Sequence, residues 1–206
     1  MPEEQLGLRE RKKADTRRAL SDAALELMFE RGLENVVRED IAARAGVSVR
    51  TFNNYFSGKF DALAYRQLDR IRRGIEILGN RPADEPLWDT VTAALVEPLE
   101  AELMDSSGPH IPTREQLDES KKLLAAPEMR AMLSRGVEDD LIAAVAARTG
   151  IDPERSMYPR LVVGAMLTAQ HAALEAYVRM DPPEPITDLL RQALAALAAG
   201  LPQPPA

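Results

Sequence analysis

A chain of 206 residues can bury a hydrophobic core without a covalent staple, and the absence of cysteine excludes disulfides and thiolate metal sites. Two histidines, His110 and His171, cannot hold a metal alone, and no apolar run reaches the ~20 residues that cross a bilayer, so the composition reads as cytoplasmic, with no cofactor, no metal and no membrane partner. The net charge of −7 argues against nucleic acid only until it is divided: residues 1–73 carry 15 Lys and Arg against 12 Asp and Glu, net +3, whereas 74–206 carry 11 against 21, net −10.

Apolar residues recur at helical spacing and alternating β-branched runs are missing, which predicts an all-α fold of about nine helices. The first should span Leu8–Arg31, with Leu20, Ala24, Leu27 and Met28 on one face and Gly32 as its stop. Arg9, Arg11, Lys12, Lys13, Arg17 and Arg18 precede or open it as a basic cluster suited to tracking phosphates, although Arg18 also has Asp22 four residues on as an ion-pair partner. A second, short helix follows over Arg38–Ala45. Gly46 then permits a tight turn, Val47 plugs the interior and Ser48 caps a third helix reaching Phe56. Ile41, Ala45, Val47, Phe52 and Phe56 can share one core, leaving Val49, Arg50, Thr51, Asn53, Asn54 and Tyr55 on the outer face. Arginine can pair with guanine and asparagine with adenine in a major groove. A fourth helix starts near Lys59, with a seam of Leu68, Ile71, Ile75 and Leu78, and ends at Asn80-Arg81-Pro82.

Beyond this break, helices are expected over Leu87–Asp105, Thr113–Leu124, Pro127–Arg148, Pro153–Met180 and Pro185–Ala199, with Pro98 and Pro159 kinking or splitting two of them. Ala165, Ala169, Ala172, Ala173 and Ala176 make a stripe of small side chains. Ile186, Leu190, Ala193, Leu194 and Leu197 make an apolar stripe on the last helix. Paired with a symmetry mate, the two stripes would close a four-helix interface; packed inside one protomer, they would be plain core. Trp88, Met104, His110, Met129, Met132, Tyr158, Met166 and Gln170 are the candidates for contacting an apolar ligand, because thioethers and amphipathic rings adapt to irregular shapes. The neighbouring carboxylates Glu138, Asp139 and Asp140 diverge around a helix, and with no nucleophile–base pair or phosphate loop the reading is not of an enzyme.

The stretch Glu39-Asp40-Ile41-Ala42 through Gly46-Val47-Ser48, followed by Thr51-Phe52, Tyr55-Phe56 and Lys59, resembles the tetracycline-repressor (TetR) family over about Arg11–Leu63. That resemblance implies an N-terminal arm and helix-turn-helix DNA-binding domain over 1–60. A connecting helix with a C-terminal helical ligand-binding and dimerisation domain would then occupy 61–206. It implies a homodimer joined through its last two long helices, palindromic double-stranded operator DNA, and a largely apolar small-molecule effector that releases it. By the same resemblance Val49, Arg50 and Thr51 enter the groove, while Ser48, Tyr55 and Lys59 meet phosphates. The chain departs from the pattern at Val37, where a threonine is usual, and at Asn53, where an aromatic is usual. Arg38 could replace the lost phosphate anchor and Asn53 could read a base. These departures also leave open a helical interaction protein without sequence-specific DNA binding.

Overall fold

The computed structural model describes residues 2–105, 113–134, 137–180 and 184–201, and none of them is in a strand. The elements are α1 (Pro2–Arg31), a 3-10 turn (Leu33–Asn35), α2 (Arg38–Arg44), α3 (Val49–Tyr55), α4 (Lys59–Asn80), α5 (Leu87–Asp105), α6 (Arg114–Ala125), α7 (Pro127–Ser134), α8 (Val137–Thr149), α9 (Tyr158–Arg179) and α10 (Ile186–Ala198). Local chemistry explains several ends. Thr113 and Gln116 form a reciprocal capping box at α6. Pro159 falls in the first turn of α9, where its missing N–H costs nothing, so this helix begins at Tyr158 instead of running through the proline from Pro153. Pro98 lies inside α5 and is buried. The helix α1 starts at Pro2, ahead of the expected Leu8, so Arg9 to Lys13 lie within the helix and do not open it.

The chain forms two compact units, described separately. The first comprises residues up to Leu68 together with Thr113–Ser134, so the expected division after residue 60 does not follow the packing boundary. Its core joins Leu20, Ala24, Leu27 and Met28 of α1, Leu33, Ile41 of α2, Phe52 of α3, Phe56 and Leu63 to Leu123 of α6 and Met129 of α7. Phe52 and Phe56 have ring centroids 5.9 Å apart, and Phe56 meets Tyr65 edge-on at 5.8 Å. Burying one such ring contributes about 3 kcal/mol. Among the described residues the buried hydroxyl of this unit is that of Ser21, which donates to the Ala62 carbonyl at 2.7 Å, and the neighbouring Asp22 is paired with Arg66 of α4.

The second unit comprises the described parts of Asp69–Pro112 and Arg135–Ala206. Its core gathers Leu78 of α4, Val91 and Ala94 of α5, Leu141, Ile142 and Val145 of α8, Val162, Val163, Met166 and Ala169 of α9, and Leu194 of α10. At Gly74 the backbones of α4 and α5 approach so closely that an added Cβ would sit 2.5 Å from the Ala94 carbonyl oxygen. Only glycine fits that crossing. The connection from α4 to α5 is tied down by Arg148, which donates to the carbonyls of Arg81, Pro82 and Glu85 at 2.9, 2.6 and 3.2 Å. Glu85 in turn takes two bonds from Arg81, both 2.6 Å, and one from the Thr90 hydroxyl, which hold its carboxyl down at about 2. The helix α9 has the length and apolarity of a membrane span, but Val162, Val163, Met166, Ala169 and Ala173 are buried among its neighbours.

Candidate nucleic-acid interface

The corner between α2 and α3 closes through backbone bonds that only a residue of positive φ allows. Gly46, at φ 68°, donates to Ala43, and Val47 then donates to Ala42 at 2.9 Å. Val47 is thereby turned against the first unit's core, and the chain leaves extended at Ser48. Ser48 Oγ accepts from the Thr51 N–H at 3.0 Å and lies 2.9 Å from the Thr51 hydroxyl, so α3 starts on a satisfied cap. Phe52, fully buried, fixes the rotation of α3.

That rotation leaves Arg50, Asn53 and Asn54 exposed, with Val49, Thr51 and Tyr55 half-buried beside them. Among the described residues the Arg50 guanidinium has no carboxylate or other acceptor, so its five donors are left to solvent or a ligand there. The Arg17 guanidinium of α1 lies 5.8 Å above the Tyr55 ring, joining the basic helix to α3 through a cation–π contact. Arg9, Lys13 and Arg17 recur every fourth residue on α1 and so form one stripe leading to Tyr55, with Arg11 and Lys12 exposed alongside. The stack of Arg17 on Tyr55 was not foreseen; its only sequence signal is the four-residue spacing.

Two expected phosphate contacts are engaged within the protein. Lys59 donates from Nζ to the Leu33 carbonyl at 2.9 Å, because α4 begins against the 3-10 turn. Arg38 pairs with Glu39 at 3.0 Å, an interaction that also lowers the Glu39 carboxyl below its ordinary value. Val37 stands at the N-cap of α2 without any side-chain hydrogen bond. Elsewhere in the unit Arg44 is held by Glu30 and Glu26, and Arg31 by Asp40. The arginines therefore sort into those that brace the fold and those on the α1–α3 surface.

The ligand candidates are divided between the two units. Met129 and Met132 pack in the core beneath the helix-turn-helix, because α6 and α7 belong to the first unit. Met104 is 83% exposed and Tyr158 is exposed, while His110 lies outside the described residues. Trp88 and Met166 share the second unit's core, with Gln170 half-buried. Trp88 also lines an open groove of about 700 Å³ between α5 and α10, floored by Ala93, Val96 and Leu194 and edged by the Glu100–Arg191 ion pair.

The two stripes expected to face a symmetry mate are mostly turned inward in the protomer. Ala169, Ala173, Leu190 and Leu194 are buried within the protomer, and Ala165, Ala176, Ile186, Ala193 and Leu197 are half-buried, because α10 packs on α9 and α5. Of the ten residues only Ala172 is exposed. The exposed residues of α9 include Leu161, Gly164, Leu167, Thr168, His171 and Ala172, and those of α10 include Ala196 and Ala199.

Comparison with known proteins places these observations. The family described as "Bacterial regulatory proteins, tetR family" matches residues 20–63, and that described as "MftR C-terminal domain" matches 85–202. The HTH-type transcriptional regulator TcmR of Streptomyces glaucescens is 30% identical over 182 residues, covering 85% of this chain and 79% of TcmR. MftR of Mycobacterium tuberculosis is 27% identical over 194 residues, covering 93% of each chain. Among solved structures, the transcriptional repressor FadR of Thermus thermophilus in complex with lauroyl-CoA superposes with a TM-score of 0.53 at 19% identity, covering 92% of this chain and 97% of FadR.

Proposed function

Because this chain belongs to the TetR family of transcriptional regulators, we propose that it is a repressor that grips palindromic operator DNA as a homodimer and lets go when a largely apolar small molecule binds its C-terminal helices. The observation that carries the DNA half is the Ser48-capped α3, which buries Phe52 and presents Arg50, Asn53 and Asn54 outward beside the basic stripe of α1. Arg50 is assigned to guanine and Asn53 or Asn54 to adenine, Val49 and Thr51 to groove contacts, and Arg9, Lys13, Arg17, Ser48 and Tyr55 to phosphates.

A single α3 spans only seven residues and reads a short half-site, so affinity and register require a second copy. The exposed apolar faces of α9 and α10, with Leu161, Gly164, Ala172 and Ala196, supply the surface that a symmetry mate covers. Small residues there let helices of the two copies approach closely. In the dimer the two α3 helices would meet successive major grooves about 34–36 Å apart. For the effector, Trp88 and Met166 are retained as contacts. The relative FadR, solved with lauroyl-CoA, supports an apolar ligand class. Release follows if that ligand favours a protomer arrangement with the wrong α3 spacing, since a ligand shifts an equilibrium only by its differential affinity. This reading assigns no catalytic role to any residue and places the protein with its DNA in the cytoplasm.

Selection of bound sites from random duplex DNA tests the proposal. A two-fold symmetric consensus is expected, retained by a species that sediments as a dimer at micromolar concentration. Enrichment of no duplex at low salt would leave a helical interaction protein as the reading.

A further inference from the structure

The connector between α1 and α2 is a three-residue 3-10 turn whose first N–H needs an acceptor, and its N-cap, Gly32, has no side chain to offer one. The acceptor arrives from 86 residues away: Glu119 of α6 takes the Leu33 N–H on Oε2 at 2.6 Å. Gly32, at φ 85°, holds the left-handed backbone from which the turn starts, and the Glu119 carboxylate lies against it in van der Waals contact. The Leu33 carbonyl accepts from Lys59 Nζ of α4 at 2.9 Å. One buried residue is thus held at its N–H by α6 and at its C=O by α4, and its side chain plugs the core on which α2 and α3 rest.

Glu119 is also bonded by Lys122, and both contacts keep its carboxyl below the ordinary value and so charged near neutrality. Its helix falls within residues 85–202, the span matched by the C-terminal domain family, yet packs with the DNA-reading helices.

We propose that Glu119 is a positioning residue of the DNA reader: through the Leu33 N–H it fixes the α1–α2 junction, and so the presentation of α3, to the place of α6. The inference rests on the operator-binding reading above. Movement of α6 in response to a bound molecule would then be felt at Leu33 without any ligand touching the reader.

The test compares Glu119→Ala and Glu119→Gln with wild type, using the duplex enriched by wild type and a scrambled duplex of equal length at one salt concentration. Glutamine keeps an acceptor oxygen; alanine keeps none. Alanine is expected to weaken the enriched duplex about tenfold, the effect of losing one charge-assisted hydrogen bond, while scrambled-duplex binding changes less than about twofold. Glutamine should restore most of the affinity. In the free protein, amide exchange at Leu33 should rise about tenfold or more for alanine and stay near wild type for glutamine. Should the alanine variant fail to fold, Glu119→Asp, one methylene shorter, replaces it with the same expected pattern. Equal operator affinity in wild type and the alanine variant, or the aspartate variant where it replaces alanine, overturns the role of Glu119, as does parallel loss on both duplexes, which marks a purely structural defect. A wild type that enriches no duplex is a different result: it overturns the operator reading, and with it the positioning role.

Discussion

In α3 the residues facing outward are Arg50, Asn53 and Asn54, whereas in α9 they include Leu161, Gly164, Leu167 and Ala172. Both helices bury their opposite face, α3 through Phe52 and α9 through Val162, Val163, Met166 and Ala169. The inner faces obey one rule, burial of apolar surface, but the outer faces differ in what can satisfy them. Guanidinium and amide groups keep their hydrogen bonds in water and exchange them only for an equally polar partner, which suits base edges and phosphates. A row of leucine, glycine and alanine gains nothing from water and is best covered by another apolar helix. On the proposed reading, one unit therefore presents a surface for nucleic acid and the other a surface for protein.

If that contrast is right, a charge on the apolar face should have the largest effect. Leu161→Lys, at a position 59% exposed in the protomer, is expected to raise the dimer dissociation constant by a factor corresponding to about 2–4 kcal/mol, measured by sedimentation. Protomer melting should barely change, and an unaltered dimer would remove α9 from the interface. Arg50→Ala is the reciprocal experiment. It should cost about 1–3 kcal/mol of specific binding while the dimer stays intact, read by competition against scrambled duplex. Coupled loss of both properties would erase the division of labour.

Gly74→Ala probes the bundle itself by placing a methyl 2.5 Å from the Ala94 carbonyl oxygen, and a loss of about 1–3 kcal/mol in denaturant unfolding is expected. Val37→Thr sharpens the picture of the other unit. It supplies the missing cap of α2 and should add about 0.5–2 kcal/mol of stability, with tighter binding to any duplex if the hydroxyl also meets phosphate. The smallest effect concerns Glu85, whose carboxyl is held at about 2 instead of its ordinary 4.5. A depressed carboxylate stabilises the fold above the ordinary value and loses that contribution as pH falls through its folded value. The melting temperature of Glu85→Gln should therefore lie below wild type at neutral pH. The gap should close between about pH 4.5 and 2, and a constant offset across that window would show that Glu85 is not the titrating group.

Much of the DNA-reading corner was legible because its signals are local. Gly46 at positive φ, Ser48 as cap and Phe52 as anchor act within a few residues of one another, so their order along the chain nearly determines their geometry. The faces expected to meet a symmetry mate or a ligand were less legible for the opposite reason. Periodicity marks a buried face without naming what buries it, so the alanine stripe of α9 and the leucines of α10 turned out to cover each other within the protomer. Met129 and Met132 carried no sign that α6 folds against α1 and the 3-10 turn and brings α7 with it to the same core.

The amino-acid sequence alone determined the all-helical class, the tight corner and the polar face of α3, since backbone propensity, capping and helical spacing depend on near neighbours. Tertiary structure alone decided that Lys59 braces Leu33, that Glu119 reaches the same residue from 86 positions away, and which faces of α9 and α10 remain exposed. Those outcomes depend on which surfaces meet once the chain has collapsed, a competition among distant partners that no local pattern records.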